Sequence, residues 1–165
     1  MEKEKQLDLG NIELLPDNTM LCQFTINGRP ATKKTHQTAF VSKGRMIVLP
    51  SKQFKAYEKY CKDICESIWN KDPIDCGVSI HVRIYLDNWC IGDHVGYLQA
   101  LGDIFEKYKI IADDKFIHWT DDGKHWFGGV DKEHPRVEVT IRRFRHPYED
   151  YRLGKKSPKK VANTS

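Results

Sequence analysis

The chain has no stretch near the roughly 20 consecutive apolar residues that a membrane-spanning helix needs. It also lacks a C-x-x-C pair, an H-E-x-x-H segment, a G-x-S-x-G elbow and a glycine-rich phosphate loop of Walker or dinucleotide type. These absences argue against a membrane span, zinc-finger and zinc-protease chemistry, serine hydrolysis and any reaction driven by a nucleotide cofactor. Five cysteines, Cys22, Cys61, Cys65, Cys76 and Cys90, form an odd set without ligand spacing. Buried free thiols are therefore expected in place of a disulfide framework. Glu2-Lys3-Glu4-Lys5 puts charge where a secretory signal would carry an apolar stretch, so the expected setting is cytoplasmic.

What is present suffices for one well-cored domain in 165 residues. The net charge of +4 is uneven: from Arg142 onward eight basic residues face only Glu149 and Asp150, leaving the remainder two charges negative. The basic end either touches a polyanion or simply solvates the terminus. The expected organisation is a loose arm over 1–18, a globular domain over 19–144 and a basic flexible tail over 145–165.

Periodicity supplies the elements. Alternation over 20–26, 77–86 and 135–141 predicts strands, and 38–41 with 46–49 around Ser42-Lys43-Gly44-Arg45 predicts a hairpin. Ser51 is placed to cap a helix whose inner face carries Phe54, Tyr57, Tyr60 or Cys61, Ile64 and Ile68. A second helix follows from Tyr97, Leu98, Leu101, Ile104, Phe105 and Tyr108 at helical spacing, with Gly96, Gln99 and Asp103 on the opposite side. Residues 115–119 and 125–127, around Asp121-Asp122-Gly123-Lys124, read as a further hairpin. The order implies an α+β fold, a mixed β-sheet with two main helices packed on one face.

The chemistry-bearing residues gather around that second helix. Asp93 stands where a strand hands over to it, Asp103 lies on it, and Asp113-Asp114 follow it. Carboxylates brought together would repel unless a hard divalent cation such as magnesium or manganese neutralised them. Asp93 reads equally well as the helix N-cap, and Asp103 as a solvated surface acid. The loop after the first strand carries Lys33, Lys34 and His36 among hydroxyls, a segment suited to phosphate oxygens.

Phe24 to Lys34 with Gly28-x-Pro30-x-x-Lys33, then Asp93, then Asp103-Ile104 ahead of Asp113-Asp114, and the closing Asp131-Lys132-x-x-Pro135-Arg136, resemble the RusA family of Holliday junction resolvases, in the form carried by phages and prophages. The likeness covers residues 20–143. It implies a RusA-like fold and a homodimeric, magnesium-dependent endodeoxyribonuclease that cuts branched double-stranded DNA symmetrically in recombination or repair. By position, the family's first essential aspartate falls on Asp93, the aspartate after the helix on Asp114 with Asp113 beside it, and the basic loop residue on Lys33. Where the family carries a second aspartate, an asparagine and a lysine on the helix, this chain has Val95, Gly96 and Gln99. The expectation is therefore Asp93 and Asp114 as catalytic, Asp93, Asp103, Asp113 and Asp114 as metal ligands, and Lys33, Lys34 and His36 on DNA. The alternative is a module of the same fold that binds branched DNA or a protein partner without cutting.

Overall fold

The element that organises the molecule is the strand β4 (Val78–Leu86), whose alternation sends two chemically different sets of side chains to the two faces of a sheet. Val78, Ile80, Val82, Ile84 and Leu86 are all buried on one face, while Ser79, His81, Arg83 and Tyr85 point to the other. In the computed structural model, which describes residues 12, 14–34, 37–147 and 149, β7 (Arg136–Arg143) pairs with β4 antiparallel, and β1 (Met20–Asn27) pairs antiparallel with β7. The second edge of β4 is shared by β5 (Ile117–Thr120) and β6 (Phe127–Val130), both parallel to it. The sheet is thus mixed.

Two helices cover the apolar face, as their periodicity predicts. In α1 (Lys52–Ile68), Ser51 Oγ accepts from Phe54 N at 3.0 Å, and Phe54, Tyr57, Cys61 and Cys65 are buried. In α2 (His94–Lys107), Tyr97, Ala100, Leu101, Ile104 and Phe105 are buried, with Phe105 meeting Phe24 edge to face at 5.8 Å. These side chains join the inward residues of β4 and β7 in one core. No helix among the described residues is long and apolar enough to cross a membrane.

The hairpin β2 (Thr38–Ser42) and β3 (Arg45–Leu49) forms as expected, but as a separate two-stranded sheet. The hairpin expected over 115–127 does not form. Asp122 and Gly123 do turn, both with positive φ, yet Ile84 N donates to Trp126 O at 2.7 Å and draws the returning chain onto β4 again. Turn residues specify a reversal, not the partner of the strand that follows. Residues 121–126 are therefore an excursion from one sheet edge.

The core also reaches into both expected flexible ends. Ile12 is buried, and its carbonyl accepts from Arg143 Nε at 3.1 Å. Arg143, expected within the polyanion-facing basic end, is buried and paired with Glu149 at 2.5 Å. Burial works against the Glu149 carboxylate, but hydrogen bonds from Arg143, Gly77 N and His146 N outweigh it and hold its pKa below the usual range. Ile12 and Glu149, both outside 19–144, are thus packed against the domain, while most of the basic tail lies outside the described residues. Of the cysteines, Cys61, Cys65 and Cys76 are buried and Cys22 partly so, but Cys90 is exposed, against expectation. Burial pushes the Cys61 and Cys65 thiols up to about 12, which keeps them protonated.

Candidate nucleic-acid interface

Asp93 closes the first turn of α2. Its two carboxylate oxygens accept from Val95 N at 3.2 Å and Gly96 N at 3.1 Å, which satisfies donors left unpaired at a helix start. The capping role is therefore real, and it leaves further lone pairs on each oxygen. Gly96, expected on the outer side, is buried: a Cβ there would lie 3.2 Å from Asp93 Oδ2 and 3.3 Å from Thr32 Cγ2. This close approach seats the 28–34 loop against the mouth of α2.

Arg29 ties that junction together. Its guanidinium pairs with Asp87 and donates to Asn88 Oδ1 at 3.1 Å and to the Cys90 carbonyl at 2.7 Å. One side chain thus links the loop after β1 to the loop before α2. Between them opens a groove of about 1070 Å³, walled by Arg29, Lys34, Tyr60 and Asp93 among others. Trp89, Ile91 and Val95 stand exposed around the same helix mouth. Beside it, His94 stacks on Trp126 with ring centroids 4.5 Å apart. Burial, then the neighbouring His125, lowers the His94 pKa against the opposing pull of Asp93.

The remaining acids lie elsewhere. Asp114 faces Gly102, since a Cβ at that glycine would lie 4.0 Å from Asp114 Cβ. Gly102 is nine residues beyond Asp93, about 14 Å along a helix rising 1.5 Å per residue. Asp113 caps a single 3₁₀ turn, Asp114–Phe116, accepting from Lys115 N at 3.0 Å and from Lys115 Nζ at 2.5 Å. Those Lys115 contacts hold its carboxyl below the usual range. Asp103 pairs with Lys33, which also lies over the Phe54 ring at 5.5 Å. His36 lies outside the described residues.

The expected convergence of Asp93, Asp103, Asp113 and Asp114 is therefore not found within one chain, and no group of three or more His, Cys, Asp or Glu side chains among the described residues could hold a metal. The reason is directional: β4 leads into α2 and β5 runs parallel to β4, so Asp93 lies near the end of β4 and Asp114 just before β5, level with its start. Of the four acids, Asp93 is the one that lines the groove.

Of the expected DNA-contacting residues, Lys34 lines the groove and Lys33 is held beside it by Asp103. The reading by periodicity missed Arg29 and the His94–Trp126 stack, and of its two inner-face candidates Tyr60 and Cys61 only Cys61 is buried, while Tyr60 lines the groove. Arg29-Pro30 and the Asp87-Asn88 pair at the end of β4 were visible signals, but their contact is not a local property. No protein-family model matches the chain, and no curated protein matches it.

Proposed function

We propose that the protein is a structure-selective, magnesium-dependent endodeoxyribonuclease of the RusA kind, acting on branched double-stranded DNA as a homodimer. The observation that carries this reading is the shared groove: a lysine-bearing loop and a carboxylate at a helix mouth, far apart in sequence, wall one cleft. Lys34 and the solvent-facing part of Lys33 hold backbone phosphates without reading bases, which makes binding salt-dependent. Asp93, fixed by its two backbone donors, offers a hard oxygen at the groove wall. Magnesium bound there would polarise a phosphodiester and acidify its own water. A two-fold dimer would present two such grooves to a two-fold junction.

The test is a synthetic four-way junction with Mg²⁺. Wild type is expected to give paired nicks, and Asp93→Asn, which can still cap α2, to lower the rate by about two orders of magnitude or more, the scale on which one electrostatic stabiliser acts. Asp114→Asn examines the assignment that the resemblance makes for Asp114, with an equal loss expected if both acids serve one reaction. Absence of cleavage by wild type rejects the nuclease.

A second reading is favoured by one observation, the separation of Asp93 from Asp114 along α2. It holds that the protein binds branched DNA without cutting it. Tight junction binding in EDTA, together with intact strands in both Mg²⁺ and Mn²⁺, selects it. In either case Lys34→Ala should weaken binding evenly across sequences and reduce the salt slope by about one.

A further inference from the structure

The hairpin of β2 and β3 differs from the rest of the molecule in chemistry as well as in topology. It forms a sheet of its own, and every strand residue except Ser42 is exposed. Its turn is well specified: Lys43 and Gly44 both have positive φ, 49° and 73°, as a two-residue loop that follows strand twist requires. The register sets Ala39 beside Val48 and Val41 beside Met46 on one face, and Phe40 beside Ile47 on the other. Val41 is 71 % exposed, Met46 74 % and Val48 48 %. Phe40, Ile47 and Leu49 add exposed apolar surface on the opposite face, and none of the six belongs to the core. Both faces of the hairpin are therefore apolar and open.

A lone two-stranded hairpin is at best marginally stable in water, and soluble monomers rarely expose more than a few hundred Å² of contiguous apolar surface. At roughly 100 Å² for each large apolar side chain, the six offer on the order of 500 Å². With the strand backbones added, this approaches the ~800 Å² that each partner gives to a standard interface. The strands also keep nothing at bay. They hold one charged residue, Arg45 beside the turn, with no proline and no register shift, so neither free edge is guarded against another strand. The chain's own ends match poorly, since residues 1–11 and 150–165 each offer a single alternating apolar pair, Leu7 with Leu9 and Tyr151 with Leu153. DNA matches poorly as well, because phosphates call for cations along the contact.

We propose that the β2–β3 hairpin is where two copies of this chain meet, strand edge to strand edge about a two-fold axis. Such an axis lays a strand antiparallel to its own copy, so one edge serves both partners and the two-stranded sheet becomes four-stranded. The apolar rows then continue across the axis, and the scarcity of charge in the strands leaves no repulsion between copies. The position of the hairpin in the chain gives the contact a consequence. Lys34, just before it, and Gln53, just after it, both line the groove, so joining hairpins fixes two grooves at a set distance from one axis. This names the surface of the homodimer proposed above and rests on that reading only for the use of the two grooves on DNA.

The experiment uses the full-length protein without DNA. Sedimentation equilibrium at concentrations up to about 100 µM, above the range of a micromolar dimer, is expected to show a monomer–dimer equilibrium. Isotope-filtered NMR on a mixture of labelled and unlabelled copies should give intermolecular contacts to the methyls of Val41, Met46 and Val48. Val41→Thr with Met46→Thr keeps residues that strands accept but removes apolar surface from both copies, and should weaken association about tenfold or more. Leu14→Thr, at an exposed apolar position outside the hairpin, should leave it unchanged. The wild-type contacts decide the matter even if the double variant loses its hairpin. A monomer throughout, a dimer without contacts at these methyls, or equal weakening by Leu14→Thr overturns the proposal. A monomer whose hairpin methyls contact residues 1–11 or 150–165 overturns it in favour of the chain's own ends, and one whose methyls shift only when a four-way junction is added does so in favour of DNA. Because no nuclease assay enters, a protein that dimerises here without cutting DNA refutes only the nuclease.

Discussion

The two ends of α2 carry the same residue type and are built in opposite ways. At its start, Asp93 is held by backbone donors and faces a loop clamped by Arg29, with exposed apolar side chains around it. Beyond its other end, Asp113 has a lysine on its carboxylate, and Asp114 packs against Gly102 together with Ile117 and Trp119. One end has a carboxylate on a groove with no ion pair among the described residues; the other is anchored to packing. A carboxylate's usefulness to a ligand thus depends less on its presence than on what already satisfies it.

Substitutions should separate these ends, and the largest effect belongs to the packed one. Phe105→Ala removes a fully buried ring that meets Phe24, and is expected to cost about 3–5 kcal/mol in urea unfolding. At the groove end, Arg29→Ala should cost less, about 1–2 kcal/mol, because its hydrogen bonds are partly exposed. It should nevertheless weaken junction binding more than Phe105→Ala does at a temperature where both remain folded, as measured by gel shift. A reversed order would show that the groove is set by the core and not by the clamp.

Capping gives a finer comparison. Asp93→Ala should lose about 1 kcal/mol and Asp93→Asn only a fraction of that. Asp113→Ala, which caps a mere three residues at the surface, should stay within about 0.5 kcal/mol. Equal losses at the two positions would remove the distinction between them.

The smallest effect is a pH dependence at the groove end. Burial and His125 depress the His94 pKa in the folded chain, so the unfolded chain takes up a proton first as pH falls below about 6.5. Stability attributable to His94 is then complete above that value and declines as pH drops toward the folded pKa. Unfolding midpoints at pH 7.5 and 5.5 should differ less in His94→Gln than in wild type. An unchanged difference would show that His94 does not contribute.

Local pattern determined much of this molecule. The period of two in β4 and β7, the helical stripes of α1 and α2, and the caps Ser51 and Asp93 are short-range properties, readable because an amphipathic segment has one way to bury its apolar side. The basic loop and the helix mouth were likewise visible as separate features. Tertiary structure decided what they touch. It set β5 and β6 side by side on β4 instead of on each other, turned Arg143 from a surface cation into a buried partner of Glu149, and placed Asp114 against Gly102, nine residues along the chain from Asp93. It also aligned His81 with Thr140 and Thr120 across three strands. None of these follows from spacing along the chain, because strand order and register are chosen by the packing of the whole core, and a side chain's charge, proton and free lone pairs are decided only by the neighbours that packing supplies.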